Sequence, residues 1–201
     1  MTGFRPSGFY AVIDRDDESL ARTLVGAGGA RVLQVRIKPG DARTIVDVAR
    51  MARRVCDEVG ARLVVNDRVD IALAAGADGV HLGQTDLPIE AARRISGALA
   101  IGVSTHDAAQ VRAVREVRPD YIAYGPVFAT RTKQNPDPVQ GLAALRAAVE
   151  LAGDIPVVAI GGITPAQAAA VYATGAAAIC AIAAVNAAPD IAAAARALAR
   201  G

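Results

Sequence analysis

Short, wholly apolar runs alternate with amphipathic segments of helical length, and this rhythm occurs eight times along the chain. Parallel strands that are buried on both faces have this character, and the intervening helices cover the sheet. The predicted strands span 9–13, 32–38, 62–66, 79–82, 100–104, 121–124, 157–160 and 178–182. The predicted helices span 18–27, 41–59, a short segment ending at 75, 88–96, 107–117, 142–151, 165–174 and 191–200. Eight such units predict an α/β protein with a single (β/α)8 barrel, and a doubly wound open sheet is the alternative.

Composition limits the function classes. Of 201 residues, 53% are hydrophobic and 21% are charged, which is enough to bury the core of one domain, and we expect residues 1–201 to form it. The formal net charge is only +2, and the basic residues do not form a run of five or more. Nothing in this balance favours nucleic acid or a membrane surface as a partner.

The cysteines and the distribution of apolar residues both indicate the cellular compartment. The two cysteines, Cys56 and Cys180, lie in apolar surroundings and are too few for a disulfide framework, so we interpret them as core thiols in a reducing compartment. Residues 1–8 do not carry an apolar signal region, and no stretch reaches the roughly 18 apolar residues of a membrane span. We therefore expect a cytoplasmic protein.

The second predicted strand has an unusual polar face. In an extended chain Gln34, Arg36 and Lys38 point to one side, while Val35 and Ile37 point to the other. Two cations on one face are costly to bury unless an anionic ligand or a polar cavity receives them. This face ends where the strand meets a loop, which is where parallel α/β proteins place their sites. The alternative is an edge strand with a solvated charged face.

Polar residues also follow the later strands, including Asn66, Asp67, Asp86 and Ser104. In a barrel these strand ends meet at one rim. Asp67 and Asp86 are hard oxygen donors suited to Mg2+, which typically takes one or two carboxylates together with substrate phosphates. Either aspartate alone could instead be a helix cap or a turn residue. Cations beside carboxylates predict a site for a metal-bound diphosphate.

The two histidines receive a more cautious interpretation. His81 alternates with apolar neighbours, which favours a hydrogen-bonded structural residue, whereas His106 either starts a helix or lines the pocket. With so few histidines and cysteines, a zinc site is not expected.

Two glycine-containing segments suggest phosphate contacts. The loop 125–141 is far longer than the others, and it carries Thr130, Thr132 and Lys133, which are good phosphate ligands. We predict a lid, with a mobile surface loop as the alternative. Gly161-Gly162, between a strand and a helix, would allow close approach of backbone N–H groups to a second phosphate, although a glycine pair also makes tight turns.

These motifs together resemble the thiamine-phosphate synthase family, and the similarity runs from Tyr10 to Asp190. It rests on the following ordered set: Gln34-x-Arg36-x-Lys38, Val65-Asn66-Asp67, His81-Leu82-Gly83-Gln84-x-Asp86, Gly102-x-Ser104, Gly125-Pro126-Val127-Phe128-x-Thr130-x-Thr132-Lys133 and Ile160-Gly161-Gly162-Ile163. The resemblance implies a barrel enzyme, a transferase that joins hydroxymethylpyrimidine diphosphate to a thiazole phosphate and releases pyrophosphate.

The resemblance also implies residue roles. The pyrimidine diphosphate would be held by Gln34, Arg36, Lys38, Asn66, Ser104 and Lys133, of which Arg36, Lys38, Ser104 and Lys133 would be catalytic. Mg2+ would be held by Asp67 and Asp86. The thiazole phosphate would be held by Thr130, Thr132 and Gly162, and by backbone N–H groups of Ile182 and Ala183, because alanine stands at 183 where the family usually has a serine.

Two alternatives stay open. The thiazole tautomerase of the same superfamily has a similar barrel, but some members carry a catalytic histidine directly after the lid glycine, where this chain has Pro126. A non-catalytic relative that binds thiamine phosphates is the other alternative, prompted by Ala183. The expected partners are phosphorylated small molecules, and a homo-oligomer is left open.

Overall fold

Eight parallel strands close into a barrel in chain order in the computed structural model, which describes residues 3–130 and 137–199. The strands are β1 (Gly8–Ile13), β2 (Val32–Val35), β3 (Arg62–Asn66), β4 (Gly79–Leu82), β5 (Ala100–Thr105), β6 (Tyr121–Tyr124), β7 (Val157–Ile160) and β8 (Ala178–Ala181). The first strand pairs with both the second and the last, with Tyr10 opposite Val32 and Gly8 opposite Ala178. This closure confirms the predicted (β/α)8 barrel and rules out the open doubly wound sheet.

The helices surround the barrel, and several begin at a capping aspartate. They are α1 (Glu18–Val25), α2 (Ala42–Val59), α3 (Val69–Ala74), α4 (Ile89–Ser96), α5 (Ala108–Glu116), α6 (Gly141–Ala152), α7 (Ala168–Tyr172), α8 (Ala183–Asn186) and α9 (Ile191–Leu198). The side chain of Asp41 accepts a hydrogen bond from the Thr44 backbone N–H, which confirms it as the N-cap of α2. Asp17, Asp107 and Asp190 cap α1, α5 and α9 in the same way.

Two hydrophobic layers follow from the alternation of side chains along each strand. Phe9, Ala11 and Ile13 of β1 point outward and pack against the helices in the larger cluster. Tyr10 and Val12 point inward and belong to a smaller cluster inside the barrel. The inner layer therefore contains the side chains that can reach a ligand at the barrel mouth. Among the described residues, no helix combines the length and the apolar character needed to cross a membrane.

Three local predictions were wrong. The strand predicted over 32–38 ends at Val35, so Lys38 belongs to the following loop. The helix predicted over 165–174 is a 3-10 turn, Pro165–Gln167, followed by the shorter α7. The chain also forms α8 directly after β8, where no helix was predicted.

Candidate active site

A large cavity opens at the carboxyl ends of the strands and has a volume of about 1020 Å³. Most of the predicted site residues line it, namely Gln34, Arg36, Lys38, Asn66, Asp67, Ser104, Thr130, Gly162, Ile182 and Ala183. Thr132 and Lys133 lie outside the described residues. The barrel thus gathers at one mouth residues that are spread over most of the sequence, as expected for this fold.

The cations that follow β2 face this cavity. Lys38 extends from the loop after the strand, and its Nζ lies 2.5 Å from Oδ2 of Asp67. Arg36 is half-buried and, among the described residues, its guanidinium has no carboxylate within ion-pair distance. An unpaired, half-buried cation on a cavity wall is a ready binding point for an anion.

The two predicted metal ligands stand together. Asp67 follows β3 in a left-handed backbone conformation, with φ of 63°, and its N–H donates to the His81 carbonyl at 2.7 Å. Asp86 follows β4, and its Oδ2 accepts from the Gly83 N–H at 2.7 Å. Burial raises the pKa of Asp86, and the neighbouring carboxyl of Asp67 raises it further. The left-handed conformation of a non-glycine residue is uncommon and is found preferentially at functional positions.

These two aspartates fit Mg2+ by their donor chemistry. Two close carboxylates repel each other, and a divalent cation relieves this repulsion. Within residues 3–130 and 137–199, no three or more histidine, cysteine or acidic residues are grouped so that they could hold a metal ion by themselves. Mg2+ does not need such a cluster, because it is commonly held by one or two carboxylates together with substrate phosphates.

The floor of the cavity is a chain of polar side chains that sequence reasoning only partly found. Gln34 Nε2 donates to the Tyr10 hydroxyl at 2.9 Å, and the hydroxyl oxygens of Tyr10 and Tyr121 are 2.8 Å apart. His81 Nδ1 lies 3.0 Å from the Tyr121 hydroxyl, and its Nε2 lies 2.8 Å from Ser104 Oγ. Burial lowers the pKa of His81 to about 4, so its ring is neutral at neutral pH.

His81 was predicted to be a hydrogen-bonded structural residue, and its hydrogen bonds are present, although they link it to the cavity. Tyr10 and Tyr121 were not singled out as site residues. The available signal was period-two alternation, which places Tyr10 on the inner face of β1. The pairing of the two tyrosines could not be read from it, because they are 111 residues apart.

Two glycines near the mouth leave space for the loop that follows β6. A Cβ atom on Gly162 would lie 2.3 Å from the Ala129 carbonyl oxygen, and one on Gly161 would lie 2.5 Å from Pro126 Cα. The N–H groups of Val127 and Phe128 donate to the carbonyls of Ile160 and Gly161. This glycine pair therefore lets the first part of the long loop lie directly on the end of β7, which is a packing reason beside the predicted phosphate contact.

The far end of that loop is also fixed to the barrel. The Gln140 N–H donates to the Pro126 carbonyl at 2.9 Å, and the Tyr124 hydroxyl donates to Gln140 Oε1 at 3.1 Å. His106 Nδ1 lies 2.6 Å from the Gly125 carbonyl, and its Nε2 lies 3.5 Å from Asp137 Oδ2. Of the two roles left open for His106, the structure places it at the pocket, where it contacts both ends of the loop.

The end of β8 contributes backbone and small side chains. Ile182 is the N-cap of the short α8, and the exposed Ala183 is its first residue. Asn186 ties this turn to β1, because its Nδ2 donates to the Val12 carbonyl at 2.9 Å. This side of the mouth therefore presents main-chain groups and has no charged side chain among residues 178–188.

The fold and the mouth define a class: a (β/α)8-barrel enzyme whose cavity suits phosphorylated small molecules. Comparison with known proteins specifies it further. The family model described as thiamine monophosphate synthase matches residues 9–185, and the chain belongs to this family. It is therefore a transferase of thiamine biosynthesis, as the resemblance implied.

Individual relatives agree. The chain is 47% identical over 173 residues to a thiamine-phosphate synthase of Laribacter hongkongensis, covering 86% of this chain and 81% of that protein. It is 50% identical over 171 residues to the thiamine biosynthesis bifunctional protein ThiM/ThiE of Symbiobacterium thermophilum, but spans only 35% of that longer protein and 85% of this chain. A solved thiamine phosphate pyrophosphorylase of Pyrococcus furiosus superposes with a TM-score of 0.87 at 37% identity, covering 95% of this chain and 93% of that one.

Proposed function

We propose that this thiamine-phosphate synthase couples hydroxymethylpyrimidine diphosphate with a thiazole phosphate by departure of pyrophosphate and capture of the resulting pyrimidine cation. The observation that carries the proposal is that Arg36, Lys38 and Asp67 line one cavity, while Asp86, which does not line it itself, lies beside Asp67. Such a grouping suits a diphosphate that is shared between cationic side chains and a metal ion.

In the first step the bond between the pyrimidine methylene carbon and the bridging oxygen breaks, and its electron pair leaves with pyrophosphate. Arg36, Lys38, Ser104 and Lys133 would bind the diphosphate and neutralise the charge that develops on it. Gln34 and Asn66 would hold the pyrimidine diphosphate in place. Mg2+, held by Asp67 and Asp86, would supply electrostatic stabilisation of the leaving group.

In the second step the lone pair of the thiazole nitrogen forms the new carbon–nitrogen bond. This step requires two substrates held in register, because the cation must meet the nitrogen before water does. Thr130, Thr132, Gly162 and the N–H groups of Ile182 and Ala183 would fix the thiazole phosphate on the opposite side of the mouth. The reaction requires neither a strong base nor an activated nucleophile, which agrees with the neutral, hydrogen-bonded His81 on the cavity floor.

Further proposals concern the whole chain. We expect residues 1–201 to act as one domain in which the loop 125–141 closes over bound substrates as a lid. We expect a cytoplasmic enzyme with small phosphorylated substrates and without nucleic-acid or membrane partners. The assembly state stays open, and a homo-oligomer is compatible with the proposed function.

The test is pyrophosphate release by the purified protein with both substrates and Mg2+, and with each component omitted in turn. Release should require both substrates, should depend on Mg2+ and should equal the thiamine phosphate formed. A matched Lys133→Ala variant should bind the thiazole phosphate but lose most of its turnover. Release without the thiazole phosphate, or conversion of a thiazole tautomer alone, would contradict the coupling reaction, and the second result would favour the tautomerase despite Pro126.

A further inference from the structure

The polar side chains on the cavity floor form one continuous hydrogen-bond chain, Gln34–Tyr10–Tyr121–His81–Ser104. Its four successive contacts measure 2.9, 2.8, 3.0 and 2.8 Å. Gln34, Tyr10, Tyr121 and His81 are all buried, whereas Ser104 is half-buried on the cavity wall. The chain therefore links buried groups beneath the site to one hydroxyl that a ligand can reach.

Aromatic packing fixes the middle of this chain. The centroid of the Tyr121 ring lies 5.8 Å from that of Phe4, and the ring is stacked on His81 at 5.6 Å and 24°. Gly102 makes room for it, because a Cβ atom there would lie 1.9 Å from Tyr121 Cζ. The hydroxyl of Tyr121 is consequently held between its two polar partners and has little freedom to turn elsewhere.

With Gln34 Nε2 placed against the Tyr10 hydroxyl, the donors and acceptors along these hydrogen bonds allow one direction. The Gln34 amide nitrogen only donates, so the Tyr10 oxygen accepts from it. Among the described residues Tyr10 has only one other hydrogen-bond partner, so its proton goes to Tyr121. The Tyr121 proton then goes to Nδ1 of His81, and the neutral ring keeps its remaining hydrogen on Nε2, which donates to Ser104. The opposite direction would leave the buried Tyr10 proton without an acceptor.

We propose that His81, oriented by Tyr121, Tyr10 and Gln34, is a positioning residue that donates to Ser104 and so directs the Ser104 hydroxyl proton toward the bound substrate. The serine proton cannot be given back to His81, because the imidazole nitrogen beside it already carries a hydrogen. Ser104 is thereby prepared to donate to an acceptor atom of the pyrimidine diphosphate. The identity of the substrate in this inference rests on the proposed function. The direction of the hydrogen-bond chain does not depend on the proposed function.

The first experiment measures the direction itself. The chain contains only two histidines, so the nitrogen NMR spectrum of the imidazole rings contains two ring systems, and a His106→Asn variant assigns them. At neutral pH the His81 ring should be neutral with its hydrogen on Nε2. In Tyr121→Phe the Nε2-bound form should no longer dominate. A His81 ring with its hydrogen on Nδ1 in the unmodified protein would overturn the proposal, whatever reaction the enzyme catalyses.

The second experiment is a double-mutant cycle on coupling activity. Ser104→Ala and Tyr121→Phe should each lower kcat/KM about tenfold or more, as expected for the loss of one oriented hydrogen bond. In the Ser104→Ala background, adding Tyr121→Phe should have little further effect, because the hydroxyl that it orients is already absent. Tyr10→Phe, which breaks the chain one residue earlier, should lower activity less and lose its effect in the same background.

A merely structural role predicts a different pattern. If Tyr121→Phe lowered activity equally with and without Ser104, its effect would not pass through the serine and the proposal would fail. If the unmodified enzyme did not form thiamine phosphate at all, the proposed function would fail instead. In that case the same cycle would be measured on the dissociation constant of the pyrimidine diphosphate, and additive effects there would overturn the positioning role as well.

Discussion

The two sides of the barrel mouth differ in the chemical groups that they present to the cavity. On the side that follows β2 to β4, charged side chains dominate: Lys38 pairs with Asp67, Asp86 lies beside Asp67, and Arg36 lines the same cavity. Such groups act over several ångströms and depend on their charge more than on exact placement of the chain.

The side that follows β7 and β8 contributes mainly backbone. Gly161 and Gly162 have positive φ values of 99° and 65°, and Ala183 begins a short helix. Backbone N–H groups bind an anion only when the loop conformation aims them at it. Substitutions on the charged side should therefore change chemistry without changing the fold, whereas substitutions on the backbone side should change local structure first.

The largest effect should come from removing charge at Asp67. Asparagine tolerates the left-handed conformation, so Asp67→Asn should keep the backbone while weakening the proposed Mg2+ site. We expect kcat/KM for coupling to fall by at least about a hundredfold, with an unchanged circular dichroism spectrum. Asp47→Asn, on the exposed face of α2, is the control and should retain full activity. Undiminished turnover in Asp67→Asn would remove this carboxylate from the reaction.

The charged side also lies over the buried His81. This buried histidine should make the stability of the protein sensitive to acid. Burial depresses the folded-state pKa of His81 from 6.5 to about 4, so between these values the unfolded chain binds the proton more strongly. The free energy of unfolding should therefore fall as the pH falls through this window, by up to about 3 kcal/mol. The measurement is the free energy of unfolding of the wild type and of His81→Gln, determined by denaturation in Mg2+-free buffer at several pH values. On acidification the free energy of unfolding of the wild type should fall relative to that of His81→Gln. A difference that does not vary with pH would contradict it.

On the backbone side, Gly162→Ala should act through structure. The new Cβ would meet the Ala129 carbonyl oxygen at 2.3 Å in addition to the strain of a positive φ. Gly76→Ala is a matched control, since its φ of 63° is similar but nothing lies within 4 Å of its Cβ position. We expect both variants to lose roughly 1 kcal/mol of stability from backbone strain, and Gly162→Ala to lose about 1–2 kcal/mol more. If chemical denaturation gave equal losses of stability in the two variants, the loop after β6 would be able to move away from the new Cβ atom without a loss of stability.

The smallest effect should be a gain. Ala183→Ser adds a hydroxyl at an exposed position on the cavity wall, so it should not disturb packing. We expect KM for the thiazole phosphate to fall by about three- to tenfold, as one added hydrogen bond at an exposed position allows. KM for the pyrimidine diphosphate should stay the same. An equal change in both constants would mean that position 183 does not belong to one phosphate site.

The sequence predicted most of the fold because buried parallel strands have a simple signature. The bounds 79–82, 121–124 and 157–160 coincide with β4, β6 and β7. The short α8 was missed because four residues are too few for a helical period to show in an alanine-rich segment. β2 ends at Val35, the last residue that pairs with β3, although the Arg36 N–H still donates to the Ile13 carbonyl of β1.

The candidate site was predictable where it consists of charged residues at strand ends. Arg36, Lys38 and Asp67 line the cavity as predicted, whereas the roles assigned to them stay predictions. The contact between Tyr10 and Tyr121 was not predictable, because it depends on how the inner faces of β1 and β6 meet across the closed barrel. Lys133 and Thr132 lie outside the described residues, so their placement stays a prediction as well.

Gly102 and Tyr121 cannot vary independently. Any side chain at position 102 would occupy the space of the aromatic ring, and a smaller residue at 121 would leave an unfilled volume above the glycine. A library that randomises either position alone should therefore return almost only the parental residue. Randomising both positions together should recover variants in which a larger residue at 102 accompanies a smaller one at 121. Such variants would have a cavity floor of different shape, which could accept altered pyrimidines.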